Sequence, residues 1–133
     1  MLKLGLIGCG HWGPNHIRNF SALEGVAVTD CADGDEGRLR FVKRLNPSIA
    51  LTADYLEILR KKEIDAVIVA TPAAGHYEIV KRSLEHDKDV LCEKPLALDV
   101  EQAGELVALA AARGKILMVG HTFLFNVGIR KLK

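Results

Sequence analysis

The chain has 133 residues, 49% of them hydrophobic and 26% charged, with a formal net charge of +1. That length supports one ordinary core, and the composition excludes a disordered chain. Near-neutral charge gives no electrostatic case for nucleic acid or an anionic membrane as partner, and the longest apolar run, Leu106 to Ala112, is far too short to span a bilayer.

The apolar run from Leu2 reads as a short buried strand carried by Leu4, Leu6 and Ile7, and Pro14 to Leu23 as a helix with Ile17, Phe20 and Leu23 apolar. Between them, Gly8-Cys9-Gly10-His11-Trp12-Gly13 matches G-x-G-x-x-G in the strand–turn–helix setting that gives the match meaning. There Gly8 permits the tight turn, Gly10 lets the backbone approach a pyrophosphate, and Gly13 lets helix and strand pack closely. The free N–H groups and dipole of the helix start then face the phosphates. Val26 to Ala32 reads as a second strand, closing on Asp33-Gly34-Asp35, and Glu36 to Leu45 as a helix stopped by Asn46-Pro47. Ile49 to Leu51 is a weak strand, Asp54 to Lys62 a short helix, and Ala66 to Ala70 a strand buried on both faces. After the loop Thr71 to Gly75 come a helix, His76 to His86, and a fifth strand, Asp89 to Cys92. Asp99 with Gln102 forms a capping-box pattern for a helix stopped by Gly114, with Ala103, Leu106, Val107 and Ala110 as its buried face. Ile116 to Val119 is a sixth strand, ending in Gly120-His121.

This alternation predicts an α/β fold: a doubly wound, mostly parallel sheet of about six strands with helices on both faces. Ligands of such sheets sit outside the carboxyl ends of the strands, where strand order reverses. The polar clusters follow successive strands, so they are expected to gather along one edge. Met1-Leu2-Lys3 runs straight into the first strand, so no signal peptide is expected. Cys9, Cys31 and Cys92 are odd in number and lack C-x-x-C spacing, which predicts reduced thiols, a cytoplasmic protein and no structural metal site.

Asp33 lies 20 residues beyond Gly13, where this fold places an acid on the adenosine ribose. Alone it reads as a turn residue; with the glycines upstream it reads as the ribose ligand, and its charge favours NAD over NADP. Arg38 reads equally as a phosphate or adenine contact and as a solvated helix residue. Trp12, Phe123 and Phe125 read as packing residues rather than base-stacking platforms, though Trp12 lies close enough to line the cofactor cleft, and His11 beside it is a further cofactor-binding candidate. Thr71 and Pro72 follow the fourth strand, where the chain passes towards nicotinamide, and His76 on its own reads as a cap of the next helix. Glu93-Lys94-Pro95 is either a surface ion pair or a site in which Lys94 stabilises an alkoxide while Glu93 holds its ammonium. His121 is a further candidate for that pocket.

Gly8–Gly13, Asp33, Asp65 to Pro72 with His76, Glu93-Lys94-Pro95-Leu96 and Val119-Gly120-His121 together resemble the N-terminal NAD(P)-binding Rossmann domain of the Gfo/Idh/MocA oxidoreductase family. The resemblance implies a dinucleotide-binding domain over residues 1–122. It also implies that residues 123–133 begin the connection to a C-terminal substrate domain absent from this chain. It implies hydride transfer between NAD(P) and a sugar, nucleotide-sugar or cyclitol carbinol carbon, with Lys94 catalytic. Thr71, Pro72, His76, Glu93 and Lys94 would contact the nicotinamide half, and the full-length enzyme would be a homo-oligomer. Gly10 to Asn15 with Arg18-Asn19-Phe20 is similar to the branch acting on the 3-hydroxyl of nucleotide-linked amino sugars, such as the UDP-N-acetylglucosaminuronate dehydrogenases. Unlike many members, the chain has Val127 rather than Pro after Asn126. As the family's second domain supplies proton transfer, the 133 residues alone are expected to bind cofactor without turnover. A non-catalytic nucleotide-binding or redox-sensing module and a methyltransferase are the rival readings.

Overall fold

Strands and helices alternate along the chain in the computed structural model, which describes residues 1–131. The strands are Leu2–Ile7 (β1), Val26–Ala32 (β2), Ala50–Thr52 (β3), Ala66–Val69 (β4), Asp89–Cys92 (β5) and Leu117–Val119 (β6). All pair in parallel in one sheet of order β3-β2-β1-β4-β5-β6. The chain winds outward from β1 to β3, then returns and winds the other way from β4. The switch point therefore lies between the carboxyl ends of β1 and β4.

The helices are Gly13–Ser21 (α1), Glu36–Leu45 (α2), Tyr55–Arg60 (α3), His76–Glu85 (α4), Val100–Arg113 (α5) and the short Val127–Arg130 (α6). Successive strand side chains point to opposite faces, which splits the core in two. Val67 and Val69 pack with Ile58, Val80, Leu84 and Leu106 from α3, α4 and α5. Ile68 packs with Leu4, Leu6, Ile17, Leu39 and Val42, on the face covered by α1 and α2. The three cysteines are free and buried. At the amino end of β5, buried Lys88 donates from Nζ to the carbonyls of Lys61 and Ile64, both at 2.6 Å.

Aspartates start three helices. Asp35 accepts from the Arg38 N–H, Asp54 from the Leu56 N–H, and Asp99 from the Glu101 and Gln102 N–H groups. The Asp99 bonds are the half of the expected capping box that forms. Gly114 closes α5 at φ +61, in the left-handed region.

The structure corrects several local expectations. Helix α1 stops at Ser21, so Leu23 lies beyond it, 53% exposed. Val107 is 58% exposed because the inward stripe of α5 runs through Leu106, Leu109 and Ala110, and Val107 lies ~100° around from Leu106. Strand β3 sits one residue later than expected, and β4 and β6 are one residue shorter. Past β6, residues Thr122–Phe125 form a 3-10 turn before α6, with Phe123, Leu124, Phe125 and Val127 exposed; residues 132 and 133 of the expected connecting segment lie outside the described residues. Among the described residues no helix is long and apolar enough to cross a membrane.

Leu106 is fully buried and Val107 is not. Leu106→Ala should therefore cost about 2–5 kcal/mol in urea denaturation, and Val107→Ala no more than about 0.5 kcal/mol. Equal costs would contradict the observed face of α5.

Candidate functional site

The three glycines of the loop after β1 meet three different constraints. Gly8 has φ +92, and a Cβ there would stand 2.7 Å from the Ala70 and Thr71 backbone, so any side chain would collide with the end of β4. At Gly13 a Cβ would stand 2.9 Å from the Gly8 carbonyl, where α1 packs against the loop. At Gly10 it would meet only the Arg38 guanidinium, at 3.5 Å. Gly10 thus opens onto a cavity of about 420 Å³ lined also by Gly8, His11, Trp12, Asp33, Arg38, Thr71 and Pro72.

The cavity is lined up to Trp12, the residue ahead of α1, and the helix has no side chain capping its amino end and no acidic residue in its first turn. Its leading N–H groups are left for an external acceptor, in contrast to the aspartate-capped α2, α3 and α5. Trp12 precedes the helix, 53% exposed, with its ring edge-on to His11 at 5.7 Å.

Asp33 closes the opposite wall. Its side chain is 8% exposed. Oδ2 accepts the Cys9 N–H at 2.8 Å and Oδ1 accepts the Asp35 N–H at 2.9 Å, while Arg38 Nη1 stands 3.7 Å from Oδ2. Burial works against its ionisation. The Cys9 and Asp35 N–H groups, the Cys9 thiol and Arg38 outweigh it and hold the carboxyl below the usual carboxylate range. Asp33 is thus a turn residue by its bond to Asp35. Each carboxylate oxygen still has acceptor capacity beyond those bonds.

The residues after β5 are arranged differently from the sequence expectation. Glu93 does not hold Lys94: its Oε1 accepts from His16 Nε2 on α1 at 2.8 Å. Lys94 is exposed, and its ammonium has no hydrogen-bond or ion-pair partner among the described residues. Its bond to Pro95 is cis. His76 heads α4 but does not cap it with its side chain. The ring is buried, with Nδ1 2.7 Å from the Pro95 carbonyl and Nε2 2.8 Å from the Thr71 carbonyl. A ring carrying one proton makes one of these bonds at a time. Both nitrogens face protein carbonyls.

The predicted residues therefore divide. Gly8, Gly10, His11, Trp12, Asp33, Arg38, Thr71 and Pro72 share the first cavity. Glu93 and His121 line a second, of about 360 Å³, with His16, Phe20, Met118 and Phe125. Sequence reasoning missed His16; the available signal was its position one helical turn before Phe20, on the face of α1 turned towards β5 and β6.

Whether a dinucleotide suits the first cavity is tested by an atom that lacks a partner. Thr71 lines that cavity, and its Oγ1 is buried with no hydrogen-bond partner among the described residues, a costly state for a hydroxyl unless another group supplies the bond. With the uncapped α1, the bare backbone at Gly10 and an acid across from them, the donor and acceptor set fits a phosphate-linked nucleotide.

Residues 2–121 match the model of the oxidoreductase family with an NAD-binding Rossmann fold, Gfo/Idh/MocA. An inositol 2-dehydrogenase of Paenarthrobacter aurescens is 36% identical over 138 residues, covering 99% of this chain and 41% of its own length. A 2,7-anhydro-N-acetylneuraminate hydratase of Mediterraneibacter gnavus is 32% identical, covering 96% of the chain and 33% of its own length. The crystal structure of KijD10, a 3-ketoreductase from Actinomadura kijaniata in complex with NADP and TDP-benzene, superposes with a TM-score of 0.88 at 33% identity. That match covers 98% of this chain and 40% of KijD10. The chain thus spans between a third and about two fifths of the length of these relatives.

The Asp33 carboxyl should titrate below its ordinary value of 3.8 when followed by 13C NMR. With the folded value depressed, its contribution to stability is present above the unfolded value near ~3.9 and is lost as pH falls through the folded midpoint. Asp33→Asn should remove that part of the acid-side slope. A midpoint at or above 3.8 would contradict the hydrogen-bonding scheme.

Proposed function

Because the chain belongs to the Gfo/Idh/MocA oxidoreductase family, we propose that it binds NAD in the Gly8–Gly13 cavity. On this reading it is the nucleotide-binding domain of an enzyme that transfers hydride between nicotinamide and a sugar, nucleotide-sugar or cyclitol carbinol carbon. The observation that supports it best is the meeting around one cavity of Gly10, the uncapped start of α1, Asp33 and the unpartnered Thr71 hydroxyl.

The N–H groups at the start of α1 and the backbone at Gly10 take the pyrophosphate. Asp33 accepts from the adenosine ribose hydroxyls, His11 and Trp12 border the cleft, and Thr71 with Pro72 meets the nicotinamide side. Bound nicotinamide supplies the hydride acceptor. Lys94 would donate a hydrogen bond to the reacting oxygen and stabilise its alkoxide character as hydride leaves carbon, while the hydroxyl proton would pass to a base of the second domain that the family resemblance implies. Because nothing among the described residues holds its ammonium, Lys94 keeps all three donors for substrate.

Ionised Asp33 repels a 2′-phosphate, which favours NAD, while Arg38 at 3.7 Å offsets part of that repulsion. KijD10, which holds NADP in its crystal structure, is a relative with the other dinucleotide. Its name as a 3-ketoreductase agrees with a substrate oxidised or reduced at carbon 3 of a nucleotide-linked sugar, the chemistry that the Gly10–Asn15 segment resembles. In a longer enzyme a further domain completes the substrate pocket and the homo-oligomer, and the 133 residues alone bind without appreciable turnover.

Isothermal titration should show NAD binding more tightly than NADP, weakened by about 1–3 kcal/mol in Asp33→Ala. Arg38→Ala should weaken NADP more than NAD. Steady-state assays of the chain with UDP-sugars and polyols should show no NAD reduction above background. Binding of neither dinucleotide, or of S-adenosylmethionine in their place, would contradict the assignment.

A further inference from the structure

We infer that Lys94 is positioned by two histidines on opposite faces of the sheet, His16 acting through Glu93 and His76 acting through Pro95. The inference rests on the reading of Lys94 as the group that meets the reacting hydroxyl.

On one face, His16 projects from α1, which packs with β1 and β2 through Ile17. Its Nε2–H donates to Glu93 Oε1 at 2.8 Å, with both side chains only 16% exposed. The carboxylate is confined from a second direction. A Cβ on Gly120 would stand 3.2 Å from Glu93 Oε2, so the bare backbone after β6 makes room for it. The Glu93 backbone is fixed as well, its N–H donating to the Val69 carbonyl at 2.9 Å. Glu93 is thereby tied to α1 and β4 and packed against the Gly120 backbone.

On the other face, α4 packs through Ile79, Val80 and Leu84 into the opposite core, and His76 at its head is 1% exposed. Its ring stands between the Pro95 and Thr71 carbonyls, at 2.7 and 2.8 Å. The ring proton bonds one carbonyl at a time, and the buried ring packs the segment after β5 beside the loop that carries Thr71.

Lys94 lies between these two anchors and has no anchor of its own. A flexible four-carbon side chain whose ammonium meets no partner among the described residues gains precision from the placement of its backbone. Glu93 thus acts one step removed, holding the backbone from which Lys94 extends. Because His16 sits on the helix that begins at the glycine loop, the same pair ties the phosphate end of the cavity to the lysine.

His76 is too deeply buried to substitute without risking the fold, so the test uses His16. In the ligand-free, 15N-labelled chain, the Lys94 amide should show an order parameter near ~0.85 in wild type and below ~0.6 in His16→Ala. The β1 and β4 amides should stay unchanged. His16→Gln, which keeps an N–H donor for the carboxylate, should restore most of the Lys94 value. An unchanged Lys94 value in His16→Ala overturns the proposal, and so does loss of order spread over the whole sheet. In parallel titrations, His16→Ala should weaken NAD at least threefold more than ADP-ribose, which lacks the nicotinamide. Equal weakening of both marks a general structural defect and overturns the proposal. If wild type binds neither ligand, the cofactor reading of the cavity fails, and the order parameters decide the positioning of Lys94 by themselves.

Discussion

The 2.8 Å hydrogen bond from the Cys9 N–H to the Asp33 carboxylate fixes the glycine loop against the end of β2. On its other side the loop abuts the end of β4 so closely that Gly8 has no room for a side chain. Held from both sides of β1, the loop leads into α1 with Gly10, His11 and Trp12 on the cavity wall and no side chain capping the helix start. The same helix carries His16 to Glu93. Loop, cavity wall and lysine segment are therefore parts of one connected arrangement, and its first link is a carboxylate whose two backbone N–H donors favour its ionised form.

Strand order makes this arrangement possible. With β1 and β4 adjacent at the centre, the chain leaves the sheet in opposite senses on the two sides and opens a crevice between their carboxyl ends. Helices α1 and α2 close one face and α3, α4 and α5 the other, so a residue after β5 can be reached from both. Glu93 and Pro95 are reached in this way. Beside α1, the β5–β6 part of the sheet contributes Leu91 and Met118 to the second cavity, which Phe20 and Phe125 also line.

Much of this was legible in the sequence where the signal is local. The bounds of β2, α2 and β5 match the expected ones because breakers or aspartate caps stand next to clear apolar patterns. The glycine loop was legible because each glycine answers a backbone constraint set by its immediate neighbours. The parallel six-strand sheet followed from the alternation of elements. The relation of Glu93 to Lys94 was not legible. Adjacency suggested an ion pair, whereas the true partner of Glu93 is 77 residues away on a helix that only the fold brings near. The side chain of His76 failed as a helix cap for a similar reason, since both of its acceptors lie on loops at the ends of other strands. Val107 and Leu23 show the limit of periodicity, which identifies an apolar stripe without saying how wide a face the neighbouring elements cover.

The central claim is that one cavity at the β1–β4 switch point receives the dinucleotide. The most direct test is an amide chemical-shift map of the 15N-labelled chain titrated with NAD. The account predicts the largest shifts at Gly8 to Gly13, at Asp33 and Gly34, and at Ala70 and Thr71, with the amino ends of the strands around Lys88 undisturbed. Shifts centred on the second cavity around Phe20, Met118 and Phe125, or no shifts at saturating NAD, would contradict it.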